Sequence, residues 1–363
     1  MDQKLHKKLA DRKEKGTLRS LSSFEGMVDF VSNDYLGLAK VDYELTNDFG
    51  ATGSRLISGN SNQIESAEKE LAIFFESPAA LCFNSGYDAN LGIFGSIPQK
   101  GDVVLYDADI HASVRDGLRL SNAENFSFKH NDVNDLERLL RKFAGKTVYV
   151  AIEGLYSMGG DLAPIGEITA LTDQFGAYLI VDEAHSGGIF GAKGRGVAHA
   201  LSCIPSCFIR VITFGKAYGA HGAAVLCSQE VKAFLINFSR PFIYTTALPV
   251  SSYQKMVRSV TQEDLDARRS ALQSNLRLFR ANLKADHLIS EINSPIQIIR
   301  GLDISSLELL QASAKKEGIA IKLVYPPTVK NGDESIRMCM HSFNTPTEIE
   351  RLVHVLEAFD LTH

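Results

Sequence analysis

The stretch "AYLIVDEAH", residues 177–185, decides the fold. Its apolar run passes without polar alternation into Asp182 and His185. A strand covered on both faces reads this way, because neither side meets water. The same pattern recurs in "AALCF" (79–83), "DVVLYD" (102–107), "TVYVAIEG" (147–154) and "RVITFG" (210–215). Helix-sized segments such as "DVNDLERLLRKF" (132–143) separate these runs. The alternation predicts an α/β fold, with a mostly parallel sheet flanked by helices forming a large domain.

The flanks read differently. Leu5 and Leu9, four apart among charges, predict an N-terminal helix with a thin apolar stripe that ends near Gly16; its basic face reads as solvated. Residues 27–31 have strand character before turn residues Asn33, Asp34 and Gly37. Residues 251–283, preceded by Pro249, predict one long amphipathic helix. The tail then alternates strands ("SPIQIIRG", "IAIKLVY", "SIRMCMH") with helices, which predicts a smaller α+β C-terminal domain. The expected divisions are an arm over 1–40, a large domain over 41–255 and a small domain over 256–363.

Composition removes several function classes. Hydrophobic residues at 45% and charged residues at 22% are ordinary for a globular chain. A net charge of −5 argues against nucleic acid, whose recognition needs a strongly basic face. No run approaches the roughly 18 apolar residues of a membrane span, and the N-terminus lacks the apolar segment of a secretory signal. The five cysteines are scattered, with no C-x-x-C pair, which reads as reduced thiols in a cytoplasmic protein and as neither a disulfide frame nor a metal site.

In open α/β sheets, ligands bind beyond the carboxyl ends of the strands. The polar residues that follow the predicted strands are therefore the candidates: Asp182 and His185, Ser157, His111, Lys216 and the turn "NSGYDANLG". Motifs for nucleotide binding, serine hydrolysis and zinc proteolysis are absent. Phosphate capture falls to Ser85 and Gly86, at a strand-to-helix turn whose N–H groups sit at a positive helix end. Pyridoxal phosphate chemistry requires a lysine for the Schiff base, an acid facing the pyridine nitrogen, a ring over the cofactor and a phosphate cup. Asp182 suits the acid and Lys216 the amine, whose pKa desolvation would lower. Gly215 and Gly219 would allow close backbone approach to the phosphate and to a partner chain.

Six stretches in order, "GATGSRLISGN", "FNSGYDANLG", "DADIHASVRDG", "EGLYSMGGD", "VDEAHSGGIFGAKGRG" and "TFGKAYGAHGAAVL", make the chain resemble the α-oxoamine synthases from about Asn33 to Phe343. These are fold-type I pyridoxal phosphate enzymes that condense an amino acid with an acyl-CoA. The resemblance implies that Lys216 is the Schiff-base lysine, Asp182 the partner of the pyridine nitrogen and His111 the stacking ring. It places His185 and Ser157 near the cofactor's 3-oxygen, and Thr213 with the backbone of Gly86 and Tyr87 on the phosphate. Family members are homodimers with interfacial sites, so Thr245 or Thr246 would serve the neighbour's phosphate. Arg337 matches the carboxylate-binding arginine, a role suited to the bidentate guanidinium fork; Asn33, Thr328 and Arg19 match substrate-touching positions. "SNDYLGL", "IYTTALP", "PPTV" and "MHSFNT" resemble the members that join L-alanine to a pimeloyl thioester, of CoA or of a carrier protein. The implied alternatives are members acting on glycine and acetyl-CoA or on long-chain acyl thioesters and, from a different class, an inactive scaffold paralogue. Two positions depart from the family pattern: Gly159 where an acid is usual, and Gly187 where threonine is common.

Overall fold

The structure, a computed structural model, describes residues 2–47, 50–283 and 287–359. Its chain divides into two units: one of Met1–Ser32, Met158–Gly160 and Gln273–His363, the other of Asn33–Ser157 and Asp161–Leu272. These seams differ from the 40/41 and 255/256 boundaries expected from sequence, and the N-terminal helix groups with the C-terminal segments.

Seven strands form the sheet of the larger unit: β1 (Ala79–Phe83), β2 (Val103–Asp107), β3 (Glu124–Phe128), β4 (Val148–Glu153), β5 (Tyr178–Asp182), β6 (Cys207–Thr213) and β7 (Ala223–Cys227). Their spatial order is β1-β7-β6-β5-β4-β2-β3. All neighbours run parallel except β7, which is antiparallel to both β6 and β1. Because side chains alternate along a strand, every strand but the edge strand β3 feeds a core on both faces. Leu81, Val104, Ala151, Ile180 and Val225 pack on one side with Ile93, Val114 and Leu235 from the covering helices. Leu105, Val150 and Val181 pack on the other with Leu136 and Ile168. Fully burying such a side chain contributes roughly 1.5–3 kcal/mol, so the apolar runs of the sequence are the sheet's main stabilising content.

The helix predicted over 132–143 is observed as Val133–Lys142, capped by Asp132, whose side chain accepts from the Asp135 amide. The long helix predicted over 251–283 is two, Val250–Thr261 and Leu265–Asn282. Gln262 takes an extended conformation (φ −58°, ψ 129°) and breaks the ladder. Val260 and Leu265 are both buried; on one continuous helix a five-residue spacing would set them about 140° apart, and the break allows each to reach a core. Two strands escaped the sequence reading. β3 is an edge strand with an exposed, polar sequence, and β7 follows the glycine-rich turn after Lys216 with no helix-sized segment to set it apart from β6.

In the smaller unit, Ile296–Arg300, Ser335–Cys339 and Lys322–Val324 form an antiparallel sheet, and Val28–Asp29 pairs in parallel with Ile319–Ala320. Helix Gln3–Glu14 buries no residue, as its charged sequence predicts. Gly16 follows with φ +64°, a conformation that glycine adopts without penalty.

Candidate active site

Strand register gathers the candidates. Glu153 pairs with Asp182 across β4 and β5, and Asp182 pairs with Val211 of β6. Thr213 and Phe83 both pair with Ala223, the first residue of β7. The carboxyl ends of five strands therefore meet the amino end of the antiparallel β7, and a cavity of about 240 Å³ opens there. Gly86, Tyr87, His111, Asp182, His185, Thr213 and Lys216 all line it.

Asp182 is buried, and its carboxylate is held at both oxygens: Oδ2 accepts from Asn90 Nδ2 at 2.7 Å and Oδ1 from the Ala184 amide at 2.9 Å. The next residue fixes the turn that carries His185. Glu183, wholly buried, accepts from Arg210 Nε at 3.0 Å, from Ser186 Oγ at 2.6 Å and from the Val197 amide at 2.6 Å. A charge at that depth is tolerated only with partners of this kind. His185 then sits with Nε2 at 2.7 Å from Lys216 Nζ.

His111 caps helix Ala112–Leu120, and its Nδ1 accepts the Ser113 amide at 3.3 Å and faces Ser113 Oγ at 2.8 Å. That use of Nδ1 places the ring proton on Nε2 in the neutral imidazole. Desolvation lowers its pKa, Asp182 opposes the shift and Lys216 adds to it. The ring is thereby kept neutral and open at the cavity wall.

Helix Gly86–Ser96 begins at the cavity with Ser85 as its cap, accepting from the Asp88 amide. A Cβ on residue 86 would lie 2.3 Å from Thr213 Cγ2, so only glycine lets this helix end approach the strand. Gly219 has φ +57°, and a Cβ there would meet the Ala39 amide nitrogen at 2.2 Å; its close approach is to its own chain. Gly215 shows no such constraint, its nearest neighbour being Ala220 O at 3.7 Å.

Within the cavity's own unit, Asn33, Ser157, Thr245 and Thr246 are not among its lining residues. Asn33 accepts from Tyr35 Oη at 3.1 Å. Asn84 Nδ2 donates to Thr245 Oγ1 at 3.1 Å and to the Thr246 carbonyl at 2.9 Å. Within the smaller unit, Arg19 Nη2 donates to Thr328 Oγ1 at 2.7 Å, and Arg337, buried in its strand, approaches Cys339 Sγ at 3.1 Å. Ser157 starts a turn closed by the hydrogen bond from the Tyr156 amide to the Asp161 carbonyl, 2.9 Å.

That turn is clamped by His130. Its Nδ1 lies 2.8 Å from Asp107 Oδ1 and its Nε2 2.8 Å from Asp161 Oδ2. Burial alone would lower its pKa, but hydrogen bonds to the two carboxylates push it up to about 10. A folded pKa raised above the ordinary 6.5 stabilises fully below 6.5, and the contribution is lost as pH rises toward 10. The melting-temperature difference between wild type and His130→Gln is therefore expected to be constant between pH 5.5 and 6.5 and to shrink across the window to about pH 10. A difference that stays flat through that window would show that the imidazolium clamp is not formed.

Sequence reasoning missed several wall residues. Glu153 ends a buried strand as Asp182 does, and that signal was present. Burial, and then the Asp182 charge, push its pKa up to about 8. Asn90 and Ser113 bridge Asp182 to His111 from helix interiors, where they read as ordinary polar positions. His221 also lines the cavity, because β7 starts at the end where the other strands finish.

The donor set fits a pyridoxal phosphate group: an amine, an anchored carboxylate, a neutral ring and a helix end flanked by a threonine hydroxyl. Two buried atoms beside it, Asn90 Oδ1 and Glu153 Oε1, lack a hydrogen-bond partner among the described residues. Among the described residues, no group of three or more metal-ligating side chains is assembled, and no helix is long and apolar enough to cross a membrane.

The chain is similar to known proteins. The family model described as "Aminotransferase class I and II" matches residues 25–356. The 8-amino-7-oxononanoate synthase of Emericella nidulans is 37% identical, covering 97% of this chain and 94% of that protein. Among solved structures, the serine palmitoyltransferase of Sphingomonas wittichii aligns with a TM-score of 0.89 at 26% identity, covering 98% and 97% of the two chains. The 8-amino-7-oxononanoate synthase of Francisella tularensis aligns at 0.77 and 29% identity, covering 92% and 98%. With a match spanning most of its length and a site built at the carboxyl ends of a doubly covered sheet, the chain belongs to the aminotransferase class I and II family.

Proposed function

We infer that the chain is a pyridoxal 5'-phosphate-dependent acyltransferase that condenses L-alanine with a pimeloyl thioester to give 8-amino-7-oxononanoate in biotin synthesis. The observation that carries the reading is the identity of 32–37%, over most of the chain, to proteins named as that synthase. The cavity supplies the matching parts. Overall, the α-proton is removed, the acyl carbon bonds to Cα of alanine, the thioester C–S bond breaks to release the thiol, the alanine carboxylate leaves as carbon dioxide, and a proton is returned to Cα. The bound cofactor supplies an electron sink for the carbanion at Cα.

The chain's own residues hold and move charge around that centre. Lys216 would hold the cofactor covalently through Nζ, and the same amine would take the α-proton of the amino acid. Asp182, anchored by Asn90 and the Ala184 amide, presents a fixed carboxylate to the pyridine nitrogen. His111, neutral with Nε2–H, would cover the cofactor ring and orient the acyl group. The N–H groups of Gly86 and Tyr87, with Thr213, hold the phosphate, joined by Thr245 or Thr246 from the second copy in a homodimer. Ser157 and His185 serve the 3-oxygen. Arg337 binds the alanine carboxylate, and Asn33, Thr328 and Arg19 complete the substrate contacts. The reading takes the enzyme as cytoplasmic, which its five free cysteines support.

A second reading, a long-chain acyl enzyme taking another amino acid, draws on the serine palmitoyltransferase structures, which align at TM-scores of 0.87–0.89. A thiol-release assay with paired substrates separates the two. Alanine with pimeloyl-CoA or with a pimeloyl carrier protein is expected to release thiol. Serine with palmitoyl-CoA and glycine with acetyl-CoA are expected to give at least about 100-fold less, because an acyl pocket discriminates by chain length at a few kcal/mol. Preference for either of the other pairs reassigns the substrate.

A further inference from the structure

Beside Asp182 stands a second buried carboxyl that the proposed mechanism leaves unused. Glu153 ends β4 opposite Asp182 in the parallel register, so both side chains leave the same face of the sheet. Glu153 is only 3% exposed, yet it lines the cavity. Its Oε1 has no hydrogen-bond partner among the described residues. An ionised carboxylate would leave that oxygen charged, buried and unpaired, which is costly. A hydroxyl in the same place needs one acceptor from whatever fills the cavity.

The partners decide which of the two acids keeps a proton. Two carboxylates sharing a buried site cannot both ionise without a like-charge penalty. Asp182 accepts at both oxygens, from Asn90 and from the Ala184 amide, and such bonds favour its charged form. Glu153 receives the backbone amide of His111, and because Oε1 is unpartnered that amide falls to Oε2. The charged groups that face Glu153 are Asp182 of β5, Lys216 after β6 and Asp107 of β2, with the Tyr156 phenol beside them. Burial and then Asp182 push its pKa up, Lys216 and the His111 amide oppose them, Asp107 adds to the rise, and the result is about 8.

We propose that Glu153 is a cofactor-binding residue that works as a neutral acid: Oε2 accepts the His111 amide, and Oε1–H donates to an acceptor atom of the bound pyridoxal phosphate. The proposal rests on the proposed function for the cofactor alone, not for the amino acid or the thioester. No bond is made or broken by Glu153. Its proton leaves Asp182 as the charged member of the pair, and its carboxyl ties His111, the cap of helix Ala112–Leu120, to the end of β4.

The test begins without cofactor, by ¹³C NMR of the full-length protein labelled at the glutamate carboxyl carbon, the Glu153 signal being identified by its loss in Glu153→Gln. Wild type is expected to show Glu153 protonated at about pH 7 and titrating at about 8. Pyridoxal phosphate affinity is then measured by absorbance titration. Glu153→Met keeps the length and loses the donor, and is expected to bind about tenfold more weakly, the order of one buried hydrogen bond left unmade. Glu153→Gln restores a donor and an acceptor, and is expected to recover affinity to within about threefold of wild type at about pH 7. The pH dependence separates donation from packing. A group that binds only when protonated and titrates at about 8 loses about tenfold by pH 9. The ratio of wild-type to Glu153→Gln affinity is therefore expected to hold steady from about pH 6 to 7 and to fall about tenfold by about pH 9. The proposal is overturned by Glu153 ionised at about pH 7 in wild type, by Glu153→Met affinity equal to wild type, or by a ratio that stays flat to about pH 9. The wild-type spectrum decides even if a variant does not fold. Absence of any pyridoxal phosphate binding would sink the proposed function as well, whereas binding indifferent to Glu153 sinks this proposal alone, so the two failures are distinguishable.

Discussion

Replacing Lys216 with alanine is expected to abolish turnover, by at least about 10⁴-fold, while cofactor still binds without a covalent link. Two losses combine in this variant. The amine that forms the link is gone, and so is the base that moves the α-proton, a role typically worth 10²–10⁴-fold alone. The remaining anchors are untouched: Asp182 keeps its bonds to Asn90 and the Ala184 amide, and helix Gly86–Ser96 still opens at the cavity. Binding is therefore expected to survive, read as a retained visible absorbance that dialysis removes slowly. Turnover within about tenfold of wild type would take the lysine out of the chemistry.

Changing Asp182 to asparagine is expected to lower kcat by about 10³-fold, the order found when a fixed charge aimed at a developing charge is removed. The substitution preserves shape, and the Ala184 amide can still find an oxygen. It removes the negative charge that keeps the pyridine nitrogen protonated. A subtler effect follows from Glu153, paired with Asp182 across β4 and β5. Burial and then the Asp182 charge hold the Glu153 carboxyl up to about 8, so neutralising Asp182 removes one of those two causes. Glu153 is then expected to titrate at lower pH in the variant, visible as a displaced pH dependence of the bound cofactor's spectrum. An Asp182→Asn enzyme with near wild-type kcat would contradict the assigned role.

Much of this site was legible in the sequence because a parallel sheet covered on both faces writes itself as apolar runs, and a polar residue ending such a run has few structural reasons to be there. Asp182 and Lys216 are read in that way. Glu153 ends its run identically and was passed over, since one acid facing the cofactor satisfied the chemistry sought. Tyr35 could not be found so simply: its partner His185 lies 150 residues later, and an apolar-looking aromatic before a Leu-Gly turn gives no hint of a hydrogen-bonded phenol. His221 was not legible because it reaches the cavity only through β7, the antiparallel strand that begins just after it and that the sequence does not mark. The break between Val250–Thr261 and Leu265–Asn282 was illegible for another reason: no proline or glycine marks it, and burial of Val260 and Leu265 is a tertiary demand.

The central claim is that the carboxyl-end cluster around Lys216 is where the cofactor is bound and used. It is tested most directly by borohydride reduction of the purified protein loaded with pyridoxal 5'-phosphate, followed by peptide mapping. The account predicts one reduced pyridoxyl group per chain, on Lys216, with none fixed in Lys216→Ala; labelling of a different lysine, or a colourless protein that fixes no group, would contradict it.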